Sequence, residues 1–487
     1  MQNITIKELN KKFEQKKDNS SFYVKSFLKR IDEVEDNINA FVTVTAPEGL
    51  VSARESDQRI ETNKRRSKVD GVPAGIKDVL CTRNIRTTAA SIMLDTFIPI
   101  FDATVVKKLK DAGCVIIGKN NCDAWAHGAS TENSDYGVAK NPWDLSRVSG
   151  GSSGGSAAAV SAGECVFSIG SDTGGSIRQP SAFCGVVGLK PTYGRVSRYG
   201  LIAMGSSLDC VGPIANTSED IATVMEIIAG HDEKDATTVE TPVPEYSEGL
   251  NNSIKGKKIG WVSEFSDMGL DREITEALAK ARCEYEKLGA EFIEINLPHA
   301  KYGISVYYLI QPAEVSSNLG RYDGIKYGFS ADKSENLIDH YFKSRDKGLG
   351  REAKRRIMLG TFVLSSGYYD AYYNKAMKVR TLIKEDFAKA FEKVDCILAP
   401  VTPTTAFRIG EKDQDPLQMY MADIFTALVN LSGNPALSLP CGHDNHKLPI
   451  GMQIIGRNFD EETILNFGHQ YEKATEKETW RNFKTVL

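Results

Sequence analysis

The stretch GGSSGGSAAAVSAGECVFSIGSDTGGS, residues 150–176, contains two glycine-framed serine runs with a helix and a strand predicted between them. The small residues from 156 to 163 favour a closely packed helix, and the apolar run from 165 to 169 favours a buried strand. Ser176 follows that strand, and α/β sheets place their sites at the carboxyl ends of strands. The stretch therefore indicates an α/β fold with a functional site near Ser176.

Predicted strands and helices alternate over most of the remaining chain. A helix at 104–112 precedes a buried strand at 114–118, and a strand at 258–262 is followed by a helix at 274–288 and a strand at 291–297. Later strands and the last helix are predicted at 396–400, 435–440, 450–455 and from about residue 461. This alternation favours one large α/β sheet with helices on both faces.

Two segments depart from this alternation. Residues 1–60 are predicted as an N-terminal helical segment of the same domain, because apolar residues recur every three or four positions in a helix at 20–38. Residues 61–487 are assigned to the main part of that domain. Within it, residues 300–395 are rich in charge and tyrosine, and they predict a helical insertion packed over the sheet.

The composition limits the class of protein. With 487 residues, 41% of them hydrophobic, the chain has enough apolar side chains for a large core. Its formal net charge of −4 argues against a basic nucleic-acid-binding surface of its own, although not against a partner that binds nucleic acid. Nine cysteines without a CxxC pair predict buried thiols in a reducing compartment, with neither disulfides nor a metal site. No signal segment or bilayer-length apolar stretch is present, so we expect a cytoplasmic protein.

Lys77 is a candidate base for the two serine runs. A serine hydroxyl is a poor nucleophile until a base takes its proton, and lysine can serve when burial lowers its pKa from about 10.4 toward neutrality. Lys77 lies in the largely apolar segment GVPAGIKDV, residues 71–79. Glycines beside a serine also allow backbone N–H groups to point into one cavity and hold an oxyanion. Together these residues predict acyl-transfer chemistry.

Two serines are candidates for the nucleophile. Ser152 fits the G-x-S-x-G elbow of α/β-hydrolases, but that motif follows a strand and requires a downstream acid and histidine. Residues 141–147, just before it, predict a loop. Ser176 instead follows a predicted strand directly. No phosphate-binding G-x-x-x-x-G-K-[ST] motif occurs, and His127 is predicted to be a pocket or packing residue and not a base.

The order of Lys77, Gly150–Ser156 and Asp172–Ser176 resembles the amidase signature family, and the resemblance covers most of the chain. It implies the amidase signature fold, with a large, central, mixed and twisted β-sheet. It also implies a Ser-cis-Ser-Lys triad, in which Ser176 attacks an amide, Ser152 relays the proton and Lys77 is the base. The implied oxyanion donors are the backbone N–H groups of Thr173, Gly174 and Gly175. No metal is implied.

Further segments resemble, within that family, the subunits that hydrolyse glutamine for tRNA-dependent amidation. These segments are 130–134, 140–144, 188–200, 312–319 and 321–324. The resemblance implies that Arg356 binds the α-carboxylate of glutamine, that Asp423 binds its α-ammonium and that Tyr307 contributes a hydroxyl. The ammonia would convert Glu-tRNA(Gln) to Gln-tRNA(Gln), and whether Asp-tRNA(Asn) is also an acceptor stays open.

The same resemblance implies a heterotrimer. A B subunit would bind the tRNA, use ATP and Mg²⁺ and receive the ammonia, while a small C subunit would bridge the two. This chain would then need no cofactor of its own. Residues 122–128 read CDAWAHG where relatives have MDEFAMG, which leaves the pocket shape open. A free-standing amidase acting on another small amide is the main alternative, and a non-catalytic assembly scaffold is a third.

Overall fold

The computed structural model describes residues 4–412 and 415–487 of the chain. Eleven strands form one sheet, and β4 and β5 form a separate two-stranded sheet. The strands, in chain order, are β1 (Phe41–Val44), β2 (Pro73–Lys77), β3 (Val115–Asn120), β4 (Lys140–Asn141), β5 (Asp144–Val148), β6 (Phe167–Asp172), β7 (Val187–Lys190), β8 (Cys210–Ala215), β9 (Lys258–Val262), β10 (Glu291–Ile295), β11 (Cys396–Pro400), β12 (Ala436–His443) and β13 (Pro449–Gly456).

Helices connect most of these strands and pack against the sheet. They are α1 (Ile6–Glu14), α2 (Ser20–Ile38), α3 (Ala46–Glu61), α4 (Thr104–Asp111), α5 (Gly154–Ser161), α6 (Arg178–Cys184), α7 (Ser218–Ile228), α8 (Arg272–Lys287), α9 (Gly303–Asn318), α10 (Leu337–Gly348), α11 (Arg351–Val363), α12 (Lys375–Phe391), α13 (Pro416–Met421), α14 (Thr426–Ser432) and α15 (Glu461–Ala474).

The large sheet is mixed. Its strand order is β1-β3-β2-β6-β8-β7-β12-β13-β11-β9-β10. The neighbours β3, β2 and β6 run parallel, as do β11, β9 and β10, whereas antiparallel pairs form the middle of the sheet and attach β1 at one edge. This architecture confirms the predicted α/β class and the mixed sheet that the family resemblance implies.

The pairing of β2 with β6 positions the candidate site. Ile76 of β2 lies opposite Ile169 of β6, and the two strands run in the same direction. Parallel neighbours present their carboxyl ends at the same edge of a sheet. Lys77, the last residue of β2, is therefore brought next to the end of β6 at Ser171 and Asp172.

The chain between β10 and β11 forms helices and no strand, and all of its residues are described. Apolar residues of α9 and α12, including Ile310, Ile383 and Phe387, share one core with Ile397 of β11 and Ile455 of β13. This region packs against one end of the sheet and supplies the side chains that face the turn after β6.

The segment before the first serine run corrects one expectation. Residues 141–147 were predicted as a loop, but β5 spans Asp144–Val148 and pairs with β4. The prediction was wrong because most of β5 is only partly buried and its sequence DLSRV lacks the apolar pattern of a core strand. β5 belongs to the small hairpin and not to the large sheet, so Ser152 still does not follow a strand of that sheet.

The N-terminal segment is more closely tied to the sheet than a purely helical segment would be. The helix predicted at 20–38 is α2, with the same bounds, while β1 pairs with β3 and α3 continues to Glu61. Assignment of residues 1–60 and 61–487 to one domain stays a prediction. Eight of the nine cysteines are buried, Cys283 is exposed, and all nine are free thiols. In the described ranges, no helix is both long and apolar enough to cross a membrane.

Candidate active site

Lys77 is the centre of a buried cluster of hydroxyl groups. Its side chain is fully buried at the end of β2. The Nζ atom donates to the Oγ atoms of Ser152 at 2.8 Å, Ser153 at 2.9 Å and Ser171 at 3.0 Å. Three acceptors match the three N–H donors of an ammonium group. We call Lys77 and these three serines the lysine cluster.

The buried environment of Lys77 lowers the pKa of its amine, so the neutral form is more populated than it would be in water. Burial lowers the pKa of Lys77 to about 8, and the nearby carboxylates of Asp123 and Asp172 limit the shift. A pKa near 8 lets a substantial fraction of the amine be neutral close to physiological pH, as a general base requires.

The loop that carries Ser152 leaves no room for a side chain at position 151. The Gly151–Ser152 peptide bond is cis, and a Cβ atom on Gly151 would clash with the Asp123 carboxylate. The Gly151 N–H donates to Oε1 of Gln179 at 2.9 Å, and Nε2 of Gln179 donates to the Ala129 carbonyl at 2.8 Å. The glycine before Ser152 is therefore needed for packing.

Ser176 joins the lysine cluster through the backbone. The Ser153 N–H donates to the Ser176 carbonyl at 3.1 Å, which holds the two serine runs side by side. Ser176 is 7% exposed, whereas Lys77 and Ser152 are completely buried, so it is the member of the predicted triad that a substrate can reach from solvent. The direct side-chain contact within the predicted triad is the one between Lys77 and Ser152.

A buried carboxylate holds the turn between β6 and α6. Asp172 accepts from the N–H of Gly175 at 2.9 Å and of Ile177 at 3.2 Å. It also forms a buried ion pair with Arg178 at 3.0 Å and accepts from Asn430 at 2.9 Å. Burial raises the pKa of Asp172, but the charge and hydrogen bonds of Arg178, together with Lys190 and Asn430, outweigh burial and lower the pKa to about 2. Of the predicted oxyanion donors, Gly175 thus has its N–H engaged by Asp172.

Tyr307 of α9 lies against this turn. A Cβ atom on Gly174 would be 2.5 Å from the Tyr307 hydroxyl oxygen, so only glycine allows this approach. Thr173 donates its hydroxyl to Asp209 at 2.6 Å. Two of the predicted oxyanion positions, Thr173 and Gly174, and one predicted substrate residue, Tyr307, are therefore adjacent.

Arg356 of α11 is buried in a polar and aromatic environment, 3% exposed. Its Nε donates to Glu352 at 2.8 Å, and its guanidinium carbon lies 5.3 Å from the ring centroid of Tyr308 and 5.5 Å from that of Tyr420. Burial alone would lower the pKa of Arg356, but Glu352 together with Tyr307, Tyr308 and Tyr420 holds it well above its ordinary value. The residue is charged at every accessible pH.

Asp423 is linked to Arg356 through Tyr308. The Tyr308 hydroxyl donates to Oδ2 of Asp423 at 3.2 Å, and the Tyr308 ring stacks on Tyr420 with centroids 3.9 Å apart. Burial raises the pKa of Asp423 to about 7, with the Arg356 charge acting in the opposite direction. The structure thus gathers Tyr307, Arg356 and Asp423 around Tyr308, and we call this group, with Glu352 and Tyr420, the arginine pocket.

His127 is buried and neutral. Its Nδ1 is 2.6 Å from the Trp125 carbonyl oxygen, so Nδ1 carries the ring proton. Burial lowers the pKa of His127 to about 3, with the Arg356 charge as the second cause. This agrees with a pocket or packing residue and excludes a charged imidazolium at neutral pH.

Several residues of the site were not predicted from the sequence. Ser153, Ser171, Arg178, Tyr308 and Glu352 all contact a predicted residue or its turn. Sequence position gave a signal for the first three, since Ser153 adjoins Ser152, Ser171 follows the predicted strand at 165–169 by two positions and Arg178 follows Ser176 by two positions. Tyr308 also adjoins a predicted residue, Tyr307, and Glu352 lies one helical turn before Arg356 on α11. Helix packing then brings Tyr308 to Asp423.

The described residues contain no group of three or more histidine, cysteine, aspartate or glutamate side chains that could hold a metal ion. The groups that contact the Lys77 amine are serine hydroxyls.

Comparison with known proteins identifies the family of the chain. The Amidase family model matches residues 23–465. The A subunit of glutamyl-tRNA(Gln) amidotransferase from Carboxydothermus hydrogenoformans is 54% identical over 473 residues, 97% of each chain, and that from Geobacillus kaustophilus is 53% identical over 472 residues, also 97% of each. The crystal structure of the same protein from Thermotoga maritima covers 96% of the chain and 94% of its own length, with a TM-score of 0.80 and 42% identity.

More distant structures share the fold as well. The peptide amidase of Stenotrophomonas maltophilia is 28% identical, with a TM-score of 0.82 over 97% of both chains. Because the family model matches most of the sequence and full-length relatives share more than half of its residues, the chain belongs to the amidase signature family.

Proposed function

We propose that this protein is the glutaminase subunit of a tRNA-dependent amidotransferase. The observation that carries the proposal is the identity of 54% with a glutamyl-tRNA(Gln) amidotransferase A subunit over 97% of both chains. Amidases with other substrates are far less similar, as the 28% identity of the peptide amidase illustrates. The proposed reaction is hydrolysis of the side-chain amide of glutamine to glutamate and ammonia.

The arginine pocket supports an amino-acid substrate. A buried guanidinium and a buried carboxyl group, connected through Tyr308, offer opposite charges to the α-carboxylate and α-ammonium of glutamine. We assign Arg356 to the carboxylate, Asp423 to the ammonium and Tyr307 to a hydroxyl contact. A fatty or aryl amide has no charged groups to pair with Arg356 and Asp423, so it would gain less binding free energy from this pocket than glutamine does.

The lysine cluster supports the first half of the reaction. Neutral Lys77 takes a proton from the Ser152 hydroxyl, which takes one from Ser176, and the Ser176 oxygen attacks the amide carbon. Backbone N–H groups at Thr173, Gly174 and Gly175 would stabilise the oxyanion of the tetrahedral intermediate. This role requires the Gly175 N–H to be shared with, or released from, Asp172.

The second half returns the enzyme to its starting state. The C–N bond breaks as the proton held by Lys77 passes through Ser152 to the leaving nitrogen, so that ammonia departs and a Ser176 ester remains. Water then attacks the ester carbon and gives up a proton through the same route, and glutamate leaves as the Ser176 hydroxyl re-forms. Every proton thus travels between the same three side chains.

The partners follow from the same proposal. A B subunit would bind Glu-tRNA(Gln), consume ATP with Mg²⁺ and use the ammonia, and a C subunit would complete the heterotrimer. The net charge of −4 suits a protein that does not hold tRNA by itself. Such a complex acts in translation in the cytoplasm.

Co-expression with the B and C subunits of the same organism tests the proposal. We expect a stable complex that releases ammonia from glutamine and forms Gln-tRNA(Gln) only when ATP is present. A panel of aryl, fatty and peptide amides provides the comparison. Faster hydrolysis of one of those amides than of glutamine, by a monomer that does not bind the partners, would establish the alternative of a free-standing amidase.

A further inference from the structure

Gln311 of α9 borders the arginine pocket, and one of the two polar atoms of its side-chain amide has no hydrogen-bond partner among the described residues. The side chain is fully buried. Its Oε1 accepts from Nη1 of Arg356 at 3.0 Å, and this contact sets the orientation of the amide. Its Nε2 has no hydrogen-bond partner among the described residues. A buried amide donor without an acceptor costs about 1–3 kcal/mol, so such a group is expected to have a function.

The position of Gln311 relates the arginine pocket to the turn after β6. It lies one helical turn after Tyr307, whose hydroxyl lies against Gly174, so both side chains are on the same face of α9. A Cβ atom on Gly205 would be 3.2 Å from Cγ2 of Thr173 and 3.7 Å from Cγ of Gln311. Gln311 therefore contacts Arg356 and also lies close to Gly205, which borders the Thr173 side chain of the turn.

The contacts of Arg356 indicate why a second donor is useful. Glu352 holds its Nε and neutralises its charge, and Arg355 shares the same carboxylate. Gln311 holds Nη1. Binding of a second carboxylate by an arginine that is already paired is weakened, and an adjacent neutral donor restores part of that attraction.

His127, whose ring feels the Arg356 charge, also has an unpaired nitrogen, and its chemistry is the opposite. Because Nδ1 donates to the Trp125 carbonyl, Nε2 is an acceptor, and it has no partner among the described residues. An acceptor repels a carboxylate. Between the two unpaired nitrogens, Gln311 is thus the one that can bind a substrate carboxylate.

We propose that Gln311 determines specificity for the α-carboxylate of the substrate: its Oε1 fixes the Arg356 guanidinium, and its Nε2 donates to the carboxylate beside it. This inference rests on the proposed function, because it takes glutamine to be the substrate. It adds a neutral amide donor to the charged pair of Arg356 and Asp423.

Two substitutions of Gln311 in the full chain, co-expressed with its partner subunits, test the inference. Gln311→Ala removes the donor, and we expect the KM for L-glutamine to rise about tenfold while kcat changes less than about twofold. Gln311→Glu keeps an oxygen toward Arg356 but places a negative charge beside the substrate carboxylate, so a larger rise in KM is expected. Gln58→Ala, an exposed glutamine on α3, is the matched control and should behave like the wild type.

A substrate without the carboxylate separates specificity from structure. For 4-aminobutanamide, which is glutamine without its α-carboxyl group, the Gln311→Ala substitution should change ammonia release by less than about twofold, since the donor has lost its acceptor. Equal losses with glutamine and 4-aminobutanamide, or an unchanged KM for glutamine, would refute the role of Gln311 while leaving the proposed function intact. If the wild-type complex does not hydrolyse glutamine, the proposed function fails and this inference fails with it. Thermal unfolding of each variant identifies a folding defect.

Discussion

The lysine cluster and the arginine pocket are both buried and polar, but they differ in how completely their hydrogen bonds are made. The three donors of Lys77 all have serine acceptors, at 2.8, 2.9 and 3.0 Å. Next to Arg356, the Gln311 Nε2 lacks a partner among the described residues, and the Nε2 of His127, in the segment after β3, also lacks one. Reacting groups are thus pre-organised by the sheet, whereas the helical region leaves a donor available to a ligand.

Removal of the nucleophile should have the largest effect. With Ser176→Ala, we expect glutamine hydrolysis to fall by at least about 10⁴-fold, because the variant lacks the oxygen that forms the proposed ester. The measurement is ammonia release by the complex. Ser253→Ala, an exposed serine, is the control. Retained turnover in the Ser176 variant would move the nucleophile to Ser152, which fits the elbow motif.

Replacing Lys77 by a residue that cannot lose its proton should reduce glutamine hydrolysis almost as strongly. Lys77→Arg keeps a positive charge but provides no base, so we expect kcat to fall about 10³-fold.

The wild type should also show the titration of Lys77. Burial lowers the pKa of Lys77 to about 8. The active form is the neutral amine, so kcat/KM should rise with pH up to about pH 8 and then level off. If kcat/KM does not change between about pH 6 and 9, Lys77 is not the base. The lysine cluster would then have no role in proton transfer.

Loss of charge in the arginine pocket should affect binding more than chemistry. With Asp423→Asn, we expect the KM for glutamine to rise about 30-fold or more, because the substrate ammonium loses its counter-charge in a buried site. Burial raises the pKa of Asp423 to about 7, so the wild-type carboxylate becomes ionised as pH rises through 7 and KM should fall over that range. The variant should lack this dependence. An equal loss in kcat would contradict the separation of the two regions.

The smallest predicted effect concerns the third acceptor of Lys77. Ser171→Ala removes a hydrogen bond that favours the ammonium form, so the pKa of Lys77 should fall and the midpoint of the pH profile should move down by about half a unit to one unit. Ser168→Ala on the same strand is the matched control, because its hydroxyl donates to the Ser156 carbonyl instead. A shift of the midpoint to higher pH would contradict the proposed charge state of the cluster.

The elements that were predicted well are those with a strong local pattern. The helix α2 and the strands β9 and β11 have the predicted bounds, because apolar periodicity and flanking turn residues define them. The hairpin strand β5 was missed, since a partly exposed strand held by its neighbour β4 has no such pattern. The side chains proposed for substrate binding came from family resemblance, and their assignment stays a prediction.

The sequence by itself determined the α/β class, the placement of Ser176 after a strand and the presence of a lysine in an apolar segment, because these depend on residues close together in the chain. Only the tertiary structure decided which groups meet. Lys77 lies 75 positions from Ser152, and Gln311 lies 45 positions from Arg356. Strand order and helix packing set such contacts, and no local pattern encodes them. The lysine cluster could therefore be anticipated in part, whereas the unpaired amide of Gln311 could not.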